Sequence, residues 1–354
     1  MIEEIIVENF KCFRNRKELK LSQINIIIGE PEKGKSTIIH SVKLCMKSFL
    51  LDPIIRDLDF SIDEVKELLP DMDLSKRIHI HLRGNIELPF VYKPVKYDID
   101  MSLSASDGTL STGIEIEDAK ITRSEMLQAM FSYIIKEYNY EKYSIKIEAH
   151  YLSHCVYNLK VVYPRITIMD KELFIILYQD IFPNLLKDRI RIVNPYQGVA
   201  CYSINPIVDD PFTENYKVLL VDPQVKHNVS RLLSKIYGRD VVIDIRRIKN
   251  RDEYVVEDIT TSRPISTMST TFRNVLNIAI VIESTPKTGT VIIDDYDRMI
   301  PGSHMANITD ILVKRCLERG VQLILTANTG LDVEKTVEKL REALPSEQLN
   351  IVML

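Results

Sequence analysis

Apolar and polar residues follow two different rhythms along this chain. Near the N-terminus, IIVENF and INIIIG read as strands, the second apolar almost throughout and so buried on both faces. From Lys35 to about Leu51 the spacing turns helical, with Ile38, Ile39, Val42, Cys45, Met46 and Phe49 on one stripe. A weaker helix, SIDEVKELLP, leads into RIHIHLRGNIELPFVYK. That stretch and YDIDMSLSASDGTLSTGIEIED alternate in twos, the period of exposed antiparallel strands, with Asp107–Gly108 as a hairpin turn. SEMLQAMFSYIIKEY predicts an amphipathic helix, IKIEAHY and YNLKVVY predict strands, and DKELFIILYQDIFPNLLKDR predicts another helix.

After residue 190 the rhythm changes to an alternation of strand and helix. RIRIVNP is followed by a helix over VKHNVSRLLSKIYG and a hairpin, VVIDIRRIKNRDEYVVED, turning at Asn250–Asp252. Then come a helix starting near Ser269, the strand TVIIDDYD, a helix over ITDILVKRCLERG and the strand VQLILTAN. A last helix, VEKTVEKLREAL, precedes LNIVML. Such alternation implies a mainly parallel sheet. The expected fold class is therefore α/β, in two lobes. Residues 1–190 form a mixed-sheet lobe with an inserted α+β region at about 118–190, and residues 191–354 form a mainly parallel lobe.

Composition narrows the functional classes. A chain of 354 residues has room for about two domains. With 45% hydrophobic and 27% charged residues and a net charge of −4, no global field draws it to nucleic acid or to an anionic membrane. Any basic surface must be local. Cys12, Cys45, Cys155, Cys201 and Cys316 are scattered, with no CxxC pair, which argues against a zinc site or a disulfide framework. The opening MIEEIIVEN is acidic where a signal peptide would be basic. The longest apolar run, VLNIAIVI, falls far short of the ~20 residues that span a bilayer. A cytoplasmic protein with no membrane partner is expected.

The chemistry begins at GEPEKGKST. Gly29-x4-Gly34-Lys35-Ser36 fits the phosphate-loop pattern without a mismatch and stands between a buried strand and a helix. Amide groups of Gly29, Glu30, Lys33, Gly34, Lys35, Ser36 and Thr37 line such a cradle, aided by the helix N-terminus. Lys35 reaches the β- and γ-phosphates, and the Ser36 hydroxyl ligates Mg²⁺. Glu30 and Glu32 put carboxylates beside the site, partly offset by Lys33. The expected cofactors are ATP and Mg²⁺. A second acidic site lies more than 250 residues on, where VIIDDYD is an apolar strand tipped with acids. Asp294 is placed to hold Mg²⁺ through water, and Asp295 to orient or deprotonate an attacking water.

The order of these pieces resembles the RecF/SMC/OLD-type ABC ATPases. IEEIIVENFKCFRNRKELKLSQINIIIGEPEKGKST is similar to their N-terminal signature, with Asn9, Phe10 and Lys11 as its "NF-basic" step. ISTMSTTFRNVLNIAIVIES looks like the signature helix, VIIDDYDRMIPGSHM like the Walker B strand and its loop, and LILTANT like the strand that ends in the switch histidine. The resemblance covers roughly residues 1–50 and 215–330. It implies an ATP-dependent homodimer in which two heads sandwich two ATP molecules, Ser269 faces the γ-phosphate across the dimer, and hydrolysis reopens the pair. It also implies a DNA or DNA-processing partner in maintenance, repair or defence.

The departures from that pattern shape the expectation. Ser269, Thr270 and Thr271 supply no signature glycine, Asp295 stands in for a catalytic glutamate, Asn328 occupies the switch position, and no Q-loop glutamine is assignable. These imply slow or partner-stimulated turnover. The alternative is a nucleotide-bound scaffold, and a third option, a small-substrate kinase, lacks an arginine-rich lid. Arg246, Arg247, Lys249 and Arg251 form a local basic cluster, either a phosphate-backbone contact or a solvated hairpin face balanced by Asp244, Asp252 and Glu253. His304 reads as a loop residue, and Tyr151, Tyr157 and Tyr163 as sheet packing.

Overall fold

A computed structural model describes residues 1–50, 67–73, 75–86, 95–104, 110–116, 155–156, 159–162, 189–194, 198–200, 218–219, 222–247 and 254–354. The chain divides into two compact units, Met1–Leu21 with Thr37–Leu186, and Ser22–Ser36 with Lys187–Leu354. Of the N-terminal strands, β1 (Ile2–Glu8) and β2 (Lys17–Lys20) belong to the first unit and β3 (Ile24–Gly29) to the second. The sequence reading placed the whole phosphate-loop segment with the N-terminal lobe. Strand pairing explains the difference, because β3 makes all its ladders with C-terminal strands.

Among the described residues, the first unit is built on a seven-stranded sheet. To β1 and β2 it adds β4 (Arg77–Ile86), β5 (Val95–Ser104), β6 (Leu110–Ile116), β7 (Cys155–Val156) and β8 (Leu159–Val162), in the order β2-β1-β4-β5-β6-β8-β7. β1, β4, β5 and β6 are antiparallel, and β8 runs parallel to its neighbour β6. The two-residue period is visible in what it buries. Ile78, Ile80 and Leu82 of β4 and Ile99, Met101 and Leu103 of β5 are buried, while His79, His81 and Arg83 meet Asp98 and Asp100 on the other face. The "NF-basic" step sits at the end of β1. Asn9 and Lys11 both take φ near 51°. Phe10 between them is fully buried, its ring edge-on to His40 at 5.9 Å. Burial, with Lys11 and Lys43 nearby, pushes the His40 pKa down to about 4.

Helix α1 (Lys35–Leu50) starts in the second unit and continues in the first, burying Ile38, Ile39, Val42 and Cys45. The expected helix at 61–70 falls mostly outside the described residues. So do the Asp107–Gly108 and Asn250–Asp252 turns, the predicted elements over 124–138, 145–151 and 170–188, and Tyr151, Tyr157 and Tyr163.

The second unit carries the mainly parallel sheet. β9 (Ile190–Asn194), β14 (Thr290–Ile293), β15 (Gln322–Asn328), β3 and β16 (Leu349–Met353) run parallel, and β10 (Gly198–Ala200) is an antiparallel edge. A smaller sheet contains β11 (Ile243–Arg247), β12 (Tyr254–Asp258) and β13 (Arg263–Pro264). The helices are α2 (Pro223–Tyr237), α3 (Thr270–Ser284), α4 (Tyr296–Met299), α5 (Gly302–Arg319) and α6 (Leu331–Ala343). α3 is apolar nearly all round, and Val275, Leu276 and Ile278–Ile282 are fully buried, as such a helix must be. At its far end Glu283, also buried, takes a forked pair of hydrogen bonds from Arg315 at 2.6 and 2.9 Å and a third from Arg319 at 3.3 Å. Asp222 caps α2, and Gly238 ends it at φ 61°, the left-handed conformation that glycine adopts without strain.

Candidate phosphate and metal site

Strand β3 delivers its last residue, Gly29, to a loop that α1 closes at Lys35. Glu32 takes φ 67° and Gly34 φ 99°. Left-handed residues so closely spaced turn successive N–H groups toward one side, the concavity that receives an anion. Glu30, Pro31, Glu32 and Lys33 are exposed, so the two carboxylates sit in solvent. Lys35 is buried, and its Nζ donates to the carbonyls of Gly29 and Glu30, both at 2.8 Å. Burial pushes its pKa down, against the pull of Asp295, Asp297 and Asp294.

Ser36 Oγ, one residue on, donates to Asp294 Oδ1 at 3.4 Å. The four residues of β14 are all buried, and Asp294 follows them at the strand's C-terminal end. Its Oδ1 also accepts from Thr326 Oγ1 at 2.6 Å and from the Asp295 N–H at 3.2 Å. The strand therefore ends at Ile293 rather than running on to Asp297, because Asp295 takes a left-handed conformation (φ 49°) and starts α4. The Asp295 N–H donates to Thr326 Oγ1 at 2.9 Å. Burial, then Asp294, raises the Asp295 pKa, while Arg298 opposes this with Nη1 3.5 Å from Oδ2.

The structure thus joins Gly29, Lys35, Ser36, Asp294 and Asp295 in one cluster. It adds two residues the sequence reading missed. Thr326 is the lone hydroxyl in the apolar strand LILTAN, and Asp297 is the third acid of DDYD. Asn328 donates to Asp297 twice, from its backbone N–H to Oδ1 at 3.2 Å and from Nδ2 to Oδ2 at 2.8 Å. It lies opposite Gly29 in the parallel β15–β3 ladder. Ser269 does not share these bonds. It caps α3, accepting from the Phe272 N–H at 3.2 Å, with Ser269 and Thr270 exposed. Thr37 lies in the first unit, where its Oγ1 accepts from Cys12 Sγ at 3.5 Å. His304 is exposed. Arg246 and Arg247 lie on β11, whereas Lys249 and Arg251 fall outside the described residues.

Mg²⁺ held by nucleotide takes one or two protein oxygens and leaves its other positions to water and phosphate. A hydroxyl and a carboxylate oxygen side by side at the mouth of an amide cradle fit that demand.

Residues 4–174, just under half of the chain, match the family described as AAA domain. Among solved structures, the Smc head bound to the C-winged helix domain of ScpA aligns with 92% of this chain and 89% of its own, at 14% identity and TM-score 0.52. The chain has the fold of an SMC head. An SMC head domain from Thermotoga maritima is also similar, at 10% identity over 95% of this chain and 91% of that one, with TM-score 0.46. The recombination mediator RecF with ATP matches at 13% identity over 94% and 95%, with TM-score 0.41. No curated protein sequence matches. Likeness at these identities speaks to the fold of the head alone. Among the described residues, no helix of the head is long and apolar enough to cross a membrane.

Proposed function

We propose that this head binds ATP with Mg²⁺ and works as a slow, partner-stimulated ATPase whose nucleotide state controls homodimerisation. The observation that carries this reading is the approach of Ser36 to Asp294, 3.4 Å apart in space and 258 positions apart in sequence. The amides of the Glu30–Thr37 segment hold phosphate oxygens, and Lys35 adds a cation at their base. Ser36 and Asp294 hold the metal, which when bound neutralises charge on the phosphates. Asp295 orients the attacking water and receives its proton at the carboxylate, a task suited by its raised pKa. The exposed N-terminus of α3, capped by Ser269, faces the phosphate of a second copy. A DNA or DNA-processing partner is the expected reader of the dimer, and the cytoplasm its compartment.

A scaffold that binds ATP without hydrolysing it is the second reading, favoured by Asn328, whose amide carries no ionisable proton, and by the pairing of Asp295 with Arg298. Calorimetry with ATP and Mg²⁺, light-scattering mass with and without nucleotide, and steady-state phosphate release decide between them. We expect ATP binding that Lys35→Ala weakens about a hundredfold, a mass that doubles with ATP, and phosphate release that Asp295→Asn abolishes. An unchanged monomer with ATP bound would overturn the switch. Phosphate release absent from the wild type, or indifferent to Asp295, would leave the scaffold.

A further inference from the structure

Asp294 and Asp295 are neighbours in sequence, yet they are held in different ways. Asp294 accepts from Ser36, Thr326 and the Asp295 N–H. Among the described residues the Asp295 carboxylate accepts no hydrogen bond, and its partner is the Arg298 guanidinium, with Nη1 3.5 Å from Oδ2. The local backbone makes that pair. Asp295 stands at the head of α4 in the left-handed conformation, and its side chain caps no N–H of the helix. The Arg298 N–H donates to the Asp295 carbonyl at 2.9 Å and closes the turn, and residues three apart on a helical turn share one face. At 3.5 Å the contact is an ion pair beyond ordinary hydrogen-bond length, so it restrains the carboxylate without locking it. The cation is the outer member, its side chain 49% exposed against 18% for Asp295.

We propose that Arg298 is a positioning residue that holds the Asp295 carboxylate back from the attacking water and so sets the slow basal rate of hydrolysis. This deepens the hydrolysis reading above and rests on it. A carboxylate engaged by a guanidinium has fewer lone pairs to offer a water, which must compete with the cation for the same oxygen. An exposed ion pair is worth little, so the restraint is small and its removal speeds turnover by a factor of a few. An arginine that instead neutralises charge on the transferring phosphoryl group predicts the opposite sign, because its removal slows turnover by orders of magnitude. The pairing with Asp295 favours the restraint.

The test is steady-state phosphate release by the full chain over a range of ATP concentrations with Mg²⁺, resolved into kcat and KM. Arg298→Ala should raise kcat about threefold and leave KM unchanged, a gain that loss of a merely structural contact does not give. Arg298→Lys keeps the charge without the planar fork and should fall between wild type and Arg298→Ala. The effect runs through the acid, so Asp295→Asn should be inactive with or without Arg298→Ala. A kcat unchanged or lowered by Arg298→Ala, with Asp295 still required, would overturn this inference and leave the hydrolysis reading standing. A gain that persists alongside Asp295→Asn would place the action of Arg298 elsewhere and overturn it as well. If Arg298→Ala fails to fold, Arg298→Gln decides on the same criteria. Phosphate release absent from wild type and from every variant refutes the hydrolysis reading and this inference together.

Discussion

The two larger sheets handle charge in opposite ways. The parallel sheet of the second unit and its helices bury Lys35, Glu283 and Asp294. The antiparallel sheet of the first unit keeps His79, Arg83 and Asp100 on a partly exposed face. Parallel strands covered on both sides leave no wet face for a charge, so each one inside needs a dedicated partner. Glu283 has two arginines, and Asp258, buried on the smaller antiparallel sheet, has Thr260 and Arg239. Among the described residues Lys35 donates its hydrogen bonds to carbonyls, with Asp295, Asp297 and Asp294 near enough to pull on its charge, and Asp294 accepts from hydroxyls and an amide. A buried charge whose hydrogen bonds go to neutral groups suits a charged ligand, and that contrast separates the structural ions of this unit from its candidate phosphate site.

If burial gives the contrast its force, the Glu283 cluster should show the largest effect. Glu283→Ala leaves Arg315 and Arg319 without their shared carboxylate at the end of the central helix. Because both guanidiniums retain a path to solvent, the cost should sit near the lower end for a broken buried pair, about 3 kcal/mol. Urea unfolding of the full chain measures it. A loss under about 1 kcal/mol would show the cluster behaving like a surface pair and would erase the contrast.

A middling effect is expected where a charged ligand is proposed but no protein charge is buried. Ser269→Ala removes the cap of α3 and should cost about 1 kcal/mol. Ser269→Asp keeps an acceptor for the Phe272 N–H and restores the helix. It also sets a negative charge where a second copy's phosphate would lie. Stability should recover while the mass increase with ATP is lost. Dimerisation that survives the aspartate would remove Ser269 from the interface.

How far the sequence revealed all this depends on the kind of pattern. INIIIG announced a strand buried on both faces, and every residue of β3 is indeed buried, while the parallel sheet was announced by the alternation of strand and helix after residue 190. β2, KELK, buries only Leu19 and offers too short a period to read. Ser36 and Asp294 were legible because the loop and the acid-tipped strand are chemical motifs independent of register. Asp297 and Thr326 were not, since their roles depend on which residue lies across the ladder and on the left-handed turn at Asp295. Helix α5 begins at Gly302, six residues ahead of the expected Ile308, where GSHMAN carries little apolar spacing.

The smallest effect belongs to the exposed sheet, and its sign can be worked out in full. His79 Nε2 lies 2.6 Å from Asp100 Oδ1, and that hydrogen bond raises the His79 pKa, with Asp100 and Glu8 reinforcing it and burial and Arg16 opposing it. The same bond and one from His81 hold the Asp100 pKa below its usual value. A raised histidine stabilises the fold fully below its unfolded pKa near 6.5 and loses that contribution as pH rises through the higher folded value. A lowered aspartate contributes above its unfolded pKa near 3.9 and loses this as pH falls. The pair is therefore strongest between these limits, around pH 5 to 6. Both side chains are more than a third exposed, so screening keeps the contribution under about 1 kcal/mol. Urea midpoints of wild type and His79→Gln at pH 5.5 and pH 8.5 measure it, and the gap between the proteins should shrink at the higher pH. A gap that widens instead would mean that His79 is neutral in the fold and that this face stores no charge pairing.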